Sequence, residues 1–454
     1  MQILYFVPYP PSLIRVRPYQ LIRMLARRGH AVTVVAPWST ERDREDLRGL
    51  EGRNITVLTN HLPRWRSLWN CLRAIPTRLP FQAAFSWDPG LLQVAAAALK
   101  EREFDLVHVE HLRGALFGLE LARMKMRPGK GRSESIPVVW DSVDCITRLF
   151  EQASVRSKSA RGRWMARLDL ARTRRFESRL AERFDHVLVT SEADREALLS
   201  LPAAPARGEE TREPGSSTTQ VSVVPNGVDL HYFTPPATPR EPATLVFSGK
   251  MSYHANVTAA HFLVNDVMPL VWKQRPDARV VLAGKNPPKS LLELATVESN
   301  RGSDAEPPTS ASDRQVEVTG SLPDLRPCLR SATLALVPIV YGAGIQNKVL
   351  EAMACATPVI ATPAAVSSLS VRSGRDLDVA ADADEFARNI LGLLDDGERR
   401  NALGRAGRAF VESHHDWDTI GERLEAIYSK AVQAGDAQSI PNSTLPVMGL
   451  AQVQ

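Results

Sequence analysis

At 454 residues, 44% hydrophobic and 24% charged, the chain has a globular composition, and at roughly 100–200 residues per domain it divides into two or three domains. This excludes wholesale disorder, and a core of such size needs neither disulfide nor metal to hold it. The formal net charge of +5 favours anionic partners but is too small to indicate nucleic acid. Four cysteines (Cys71, Cys145, Cys328, Cys355) lie far apart with no C-x-x-C pair, which argues against a zinc site and fits a reducing cytoplasm. Apolar stretches such as VTVVA (32–36) fall well short of the ~20 residues of a membrane span. The N-terminal MQILYFVPYPP lacks the basic region and cleavage site of a signal peptide, so it reads as a first buried strand.

From there the chain alternates. QILYFVP (2–8) is followed by an amphipathic run from Tyr19 to Arg28, a stop at Gly29-His30, and AVTVVAP (31–37). ITVLT (55–59), FDLVHVE (104–110), PVVWDSV (137–143) and HVLVTS (186–191) continue the series. A second series begins with TLVFSG (244–249) and runs through ARVVLAG (278–284), VEVTGS (316–321), ATLALVP (332–338) and TPVIAT (357–362). Short apolar runs separated by helical stretches predict parallel sheets covered on both faces. The expected architecture is therefore α/β, with two tandem Rossmann-like domains. Pro-rich 235–242 stands between the two series as the expected linker. Segments 202–220 and 299–314, rich in Pro, Gly, Ser and acid, read as solvated loops, and the polar tail has no sustained period. Residues 156–183 carry ten Lys/Arg against three acids, with Met165, Leu168, Phe176, Leu180 and Phe184 near a helical period. That basic amphipathic helix is either a solvated face or a patch for anionic lipid headgroups.

The chemistry concentrates in VPIVYGAGIQNKVLEAMACATPVIAT (337–362). A strand ends at Pro338, a loop with Gly342 and Gly344 follows, and a helix begins near Gln346. Free amides and the helix dipole make such a junction an anion cradle, although glycines in a loop can equally serve only to turn the chain. Glu351 falls two turns into the helix, within reach of a ribose behind bound phosphates.

Other segments agree with this reading. Glu351-Ala-Met-Ala-Cys-Ala-Thr-Pro358-Val-Ile-Ala, together with VVPNGVD (223–229), LVFSGKM (245–251), VVLAGKNP (280–287) and VTGSLPDLRPCLRSATLALVP (318–338), resembles the family 4 glycosyltransferases of the GT-B fold. The GIQNKVLEAMA form, with KMSYHAN (250–256), looks most like sugar transferases of exopolysaccharide gene clusters. The resemblance implies an acceptor-side domain over 1–225, a nucleotide-sugar domain over 226–415, a helix at 416–432 crossing back to the first domain, and a disordered tail over 433–454. It implies Glu351 on the ribose, Lys250 on the diphosphate, and Gly249 with the amides of Gly344, Ile345, Gln346 and Asn347 around the donor. Gly320 and Ser321 would border the base. The family's first glutamate falls on Ala343 and a family lysine on Ala255. Donor recognition is thus either rearranged through Gln346, Asn347 or Lys348, or activity is reduced.

In the first domain, Glu110 and His111 follow a strand's C-terminal end, where α/β folds bind ligands. Members of the resembled family often place a histidine here against the transferred sugar, which marks His111 as a catalytic candidate. Asp141 and Asp144 follow the next strand in the same way and are candidates to face the acceptor, Asp144 alternatively capping the helix behind it. Arg15 and Arg17, after the first strand, would meet an anionic acceptor or donor phosphate. Asp376 and Asp378 form a D-x-D that fits a short surface strand better than a metal.

These readings converge on a retaining, metal-independent glycosyltransferase with no cofactor. It would use a nucleoside-diphosphate sugar as co-substrate and a lipid-linked or glycan acceptor in surface or exopolysaccharide synthesis. Its expected location is the cytoplasm, with peripheral contact to the inner face of the membrane through 156–183. No G-x-G-x-x-G follows a strand, which argues against a dinucleotide enzyme. A sugar-nucleotide epimerase of the same fold and a degenerate, non-catalytic nucleotide-sugar-binding partner remain alternatives.

Overall fold

The computed structural model describes residues 1–12, 15–124, 136–156, 160–202, 220–295, 315–341 and 344–437. Most of the two expected solvated loops, and 438–454 of the expected tail, lie outside the described residues.

The first series folds as a seven-stranded sheet of β1 (Gln2–Phe6), β2 (Ala31–Trp38), β3 (Ile55–His61), β4 (Leu106–Glu110), β5 (Val138–Val143), β6 (His186–Val189) and β7 (Gln220–Val223). Its order is β3-β2-β1-β4-β5-β6-β7, and every pairing is parallel. The second contains β8 (Thr244–Ser248), β9 (Arg279–Ala283), β10 (Val316–Gly320), β11 (Leu334–Val337), β12 (Val359–Ala361) and β13 (Asp378–Val379), ordered β10-β9-β8-β11-β12-β13 and likewise parallel. Period-2 side chains explain why these strands read as unbroken apolar runs. In β1, Leu4 and Phe6 enter one core while Ile3 and Tyr5 enter the core on the opposite face. Each sheet reverses its winding at one place, between β1 and β4 and between β8 and β11, and there the strand-end loops splay apart to leave a crevice.

The last helix, Trp417–Ala437, returns to the first domain. Trp417, Ile420, Leu424, Tyr428 and Ala431, spaced three or four apart, join the core of Ile3, Tyr5, Leu21 and Leu25. Full burial of each large side chain is worth about 1.5–3 kcal/mol, enough to hold the crossing in place. The crossing point pairs Val228 with Asp416.

Three expectations change. Segment 235–242 is not a free linker, because Arg240 donates to the carbonyls of Leu329, Arg330, Ala332 and Cys355 and to Thr357 Oγ1, which pins it to the second domain. The expected tail begins later, since helix Trp417–Ala437 takes in 433–437. The helix of the basic segment is Ala160–Leu180, shorter than the expected 156–183, and Arg156 belongs to the preceding helix Ile146–Arg156. Phe176 and Leu180 of helix Ala160–Leu180, and Phe184 just past its end, turn inward, whereas Trp164, Met165 and Leu168 are exposed.

Candidate functional site

The second domain's crevice is built from the ends of β8 and β11. β8 delivers Gly249 and then Lys250, whose side chain is exposed. Gly249 is held close to the end of β9: a Cβ on Gly284 would lie 1.7 Å from the Gly249 carbonyl oxygen, so only glycine fits there. β11 delivers helix Asn347–Ala354, whose N-cap Gln346 makes no side-chain capping bond and whose first turn holds no acid. The Val349 amide turns back to the Gln346 carbonyl at 2.9 Å, so the first two amides, of Asn347 and Lys348, and the positive end of the dipole are what the helix offers a ligand. Gly344 and Ile345 precede them, buried; Gly342 and Ala343 lie outside the described residues. Gly320 and Ser321 sit at the end of β10, on the opposite flank of β8, and the space beside Gly320 is open.

Lys348 leans back from the helix. Its Nζ donates to Asn256 Oδ1 at 2.7 Å, and Asn256 Nδ2 donates to the Lys250 carbonyl at 2.9 Å. The ammonium lies 5.4 Å above the Phe247 ring. One short chain of bonds thus ties the helix N-terminus to the β8 loop. Ala255, where the resembled family carries a lysine, is buried, and Lys348 brings a cation to its neighbour Asn256. Burial pushes Lys348 down to about 8, against Glu351. Burial also pushes Glu351 up to about 7, with Lys348 opposing. Both groups are left responsive near neutral pH.

Across the cleft, Glu110 at the end of β4 pairs with Asp141, which lies within β5 rather than after it. Tyr9 donates to Glu110 Oε1 at 2.8 Å and Tyr5 to Oε2 at 3.2 Å. Burial, and then the Asp141 carboxylate, push Glu110 up to about 8, so it is mostly protonated at pH 7. Arg17 is buried rather than turned to a ligand. Its Nε and NH2 meet Asp141 Oδ2 at 2.9 and 2.7 Å, and NH1 donates to the carbonyls of Val224 and Pro225 and to Asn226 Oδ1. Arg17 and Asp141 therefore neutralise one another where the chain leaves the first domain. Arg15 stays exposed, its guanidinium 4.7 Å over the Tyr9 ring.

His111 has φ +63°, a left-handed conformation uncommon for a side-chain-bearing residue and one that concentrates at functional sites. Its Nδ1 accepts from the Arg113 amide at 3.2 Å, which leaves the proton of the neutral ring on Nε2. Burial first, then the Arg113 guanidinium, push His111 down to about 3, so the ring is neutral at physiological pH.

Asp144 does not cap the helix behind it. The leading amides of helix Ile146–Arg156 bond instead to Glu177, and the Cys145 amide to Asp194. Asp144 accepts from Thr190 at 3.1 Å and crosses the cleft: a Cβ on Gly344 (φ +73°) would lie 2.5 Å from its Oδ1. Burial, then Asp194, push it up to about 6. Asn226, at the domain junction, accepts from Arg17 of the first domain at 3.1 Å and donates to Asn347 Oδ1 at 3.5 Å. The two crevices therefore open on one cleft, with Asp144 and the Gly344 turn in contact across it. Asp376 and Asp378 lie elsewhere, in ion pairs with Arg375 and Arg399. Sequence reasoning passed over Asn256, Tyr9 and Asn226, whose roles come from tertiary partners; the only local sign was the position of Tyr9 and Asn226 at strand exits.

Comparison with known proteins agrees with this geometry. Residues 14–227 match the family model of the glycosyl transferase 4-like domain, and residues 242–396 that of glycosyl transferases group 1. A GDP-mannose-dependent monoacylated alpha-(1-6)-phosphatidylinositol monomannoside mannosyltransferase from Corynebacterium glutamicum is 32% identical over 224 residues, 45% of this chain and 55% of that protein. A D-inositol 3-phosphate glycosyltransferase from an Arthrobacter species is 28% identical over 238 residues, 49% of this chain and 53% of that protein. The matches thus span about half the length of these curated relatives. Among solved structures, sucrose-phosphate synthase from Thermosynechococcus elongatus superposes with a TM-score of 0.65 at 17% identity, covering 96% of this chain and all of that one. HepE from Anabaena, in complex with UDP and glucose, gives 0.61 at 15% identity, covering 95% and 100%. Two facing parallel-sheet domains with a helix crossing back form the GT-B fold, and with both domain models matched in order the chain belongs to the family 4 (group 1) glycosyltransferases.

Proposed function

We propose that this protein transfers a hexose from a nucleoside-diphosphate sugar to a lipid-linked or glycan acceptor, with retention at the anomeric carbon and without a metal. The observation that carries the reading is the uncapped N-terminus of helix Asn347–Ala354 at the β8/β11 crevice, with Lys348 and Lys250 beside it. In the reaction the bond from anomeric carbon to diphosphate oxygen breaks, the acceptor oxygen bonds to that carbon, and the acceptor's proton leaves with the diphosphate. Negative charge grows on the leaving oxygens, where fixed amides and an ammonium stabilise it without reorganisation. Gly249, Gly344, Ile345, Gln346, Asn347 and Lys348 would line the diphosphate, Glu351 would accept from ribose hydroxyls, and Gly320 and Ser321 would flank the base. Neutral His111 would donate from Nε2 to a hydroxyl of the transferred sugar. Arg15 and Asp144 stand on the acceptor side, while Arg17, Glu110 and Asp141 hold that side in shape.

The acylated phosphatidylinositol monomannoside named for one curated relative favours a lipid-linked acceptor over a free glycan, and a role in surface or exopolysaccharide assembly rests on the QNK form of the donor helix. Among the described residues no helix is long and apolar enough to cross a membrane, so a cytoplasmic enzyme meeting its acceptor at the inner leaflet, with the basic helix Ala160–Leu180 toward the lipid, fits this reading. Isothermal titration with nucleoside diphosphates tests it: binding that Glu351→Ala weakens supports the donor site, and no binding by the wild type removes it. An epimerase of the same fold would convert the sugar nucleotide with no acceptor present, and a non-catalytic partner would bind without turnover.

A further inference from the structure

Helix Arg64–Ala74 of the first domain carries an apolar stripe that none of the described residues covers. Trp65, Leu68, Trp69 and Leu72 recur at the i, i+3, i+4, i+7 spacing of one helix face, and Ile75 follows one turn on. In most surface helices such a stripe is the buried face. Here these five residues are 52–66% exposed, and among the helix's residues only Ser67 and Ala74 are buried. A contiguous apolar surface of this kind marks an interaction site.

The charge around it indicates the partner. From Pro63 to Trp87 there are four arginines (Arg64, Arg66, Arg73, Arg78) and no acid, and Arg64, Arg73 and Arg78 are exposed. The neighbouring helix Ala160–Leu180 adds to the same character. Its Arg172 donates to the carbonyls of Ala74 and Ile75, fixing the end of the stripe one turn past exposed Leu168, with Trp164 and Met165 beyond. Two of the basic segment's three acids are turned inward: Asp169 holds the Phe81 amide and Glu177 the leading amides of helix Ile146–Arg156. Tryptophan and arginine side by side, with no acid, suit the headgroup level of an anionic leaflet, where the indole partitions into the interface and the guanidinium meets phosphate. A protein partner would more often answer such a surface with mixed charge.

We propose that helix Arg64–Ala74 is the element that inserts into an anionic lipid leaflet, with helix Ala160–Leu180 supplying charge beside it. The proposal rests on the membrane-linked acceptor of the reading above and places the first insertion on a different helix. It has a geometric consequence. The helix packs on helix Phe81–Phe85, whose Phe85 lies 5.0 Å under the Arg113 guanidinium, two residues from His111. The leaflet would therefore be set against the acceptor-side wall of the cleft.

The test is cosedimentation of the full chain with phosphatidylcholine vesicles carrying about 30% phosphatidylglycerol, beside pure phosphatidylcholine vesicles. Because Trp65 and Trp69 are more than half exposed, Trp65→Ser/Trp69→Ser should leave nucleotide affinity unchanged and move the thermal melt little while lowering vesicle binding roughly tenfold or more. Arg64→Glu/Arg73→Glu should remove the preference for the anionic vesicles. Wild-type protein that ignores both vesicles, or a tryptophan pair variant that binds as well as wild type, overturns the proposal. So does wild-type self-association in sedimentation velocity that the pair variant abolishes without any vesicle binding, because the stripe then belongs to a second copy. Vesicle binding by a protein that binds no nucleoside diphosphate would keep the docking surface and discard the transferase reading, so the two fail separately.

Discussion

Replacing Arg17 with methionine should cost far more than its single position in a loop-to-helix junction suggests. Arg17 and Asp141 are both nearly inaccessible, and the guanidinium also satisfies three acceptors at the exit from the first domain. Breaking a buried pair from one side leaves an uncompensated charge and typically costs roughly 3–5 kcal/mol. For a domain of this size that corresponds to a fall of about 6–20 °C in melting temperature. The stranded carboxyl can escape part of the cost by taking up a proton, because burial already opposes its ionised form. The variant's folded Asp141 then has a raised pKa and binds more protons folded than unfolded, so its stability falls as pH rises. The deficit relative to wild type should be larger at pH 8 than at pH 5. Arg17→Met/Asp141→Asn, which removes both charges and keeps an acceptor for the Val143 amide, should recover most of the loss. Urea and thermal melts of the wild type and the two variants at both pH values decide the matter. A loss below about 1 kcal/mol for Arg17→Met, without a pH slope, would refute the claim that this pair holds the first domain to the crossing point.

Glu351→Ala should weaken nucleoside-diphosphate binding by about 1.5–3 kcal/mol, as for a charge-assisted hydrogen bond, and calorimetry showing unchanged affinity would take Glu351 out of the site. Lys250→Ala should lower turnover more than donor affinity, since leaving-group charge is greatest in the transition state; equal losses in both would make Lys250 a binding residue only. Donor affinity should rise with pH as Glu351 ionises through about 7 and fall as Lys348 loses its proton through about 8. Titrations across that range check both limbs, and Glu351→Gln should erase the rising one. In the free protein the raised Glu351 pKa has the opposite sense: its contribution to stability is present at low pH and is lost as pH rises through about 7, which melts of Glu351→Gln against wild type would reveal. Gly344→Ala puts a methyl group 2.5 Å from Asp144 Oδ1 at a positive φ, so it should impair turnover, and Asp144→Ala should relieve the clash but not the backbone strain. Turnover of the single and double variants would separate the two effects.

What the sequence made legible and what it concealed divide along physical lines. Strand runs such as 31–37 and 332–338, separated by helical stretches, imply parallel sheets because only a two-sided buried strand is apolar throughout. The crossing helix was legible through the family resemblance and as an apolar helical segment left over after the second series, and its Ile420, Leu424 and Tyr428 do enter the first domain's core. Arg17 looked like a ligand-facing cation because nothing local reveals that its carboxylate partner stands 124 residues away. Arg240 was hidden by prolines that suggested a linker, while its guanidinium finds carbonyls about 90 to 115 residues on. The stripe of helix Arg64–Ala74 escaped notice because periodicity identifies an apolar face without saying whether that face meets a core or water.

The central claim is that the cleft between the two sheets transfers a sugar from a nucleoside diphosphate to a membrane-linked acceptor. Its most direct test is incubation of the purified chain with a panel of nucleoside-diphosphate hexoses, with and without a lipid extract, following free nucleoside diphosphate and the anomeric configuration of any lipid product by NMR. One donor should be consumed only when extract is present, the product should keep the donor's anomeric configuration, and Lys250→Ala should suppress the release. Conversion of the sugar nucleotide without extract, an inverted product, or no turnover of any donor despite tight nucleotide binding would contradict the claim.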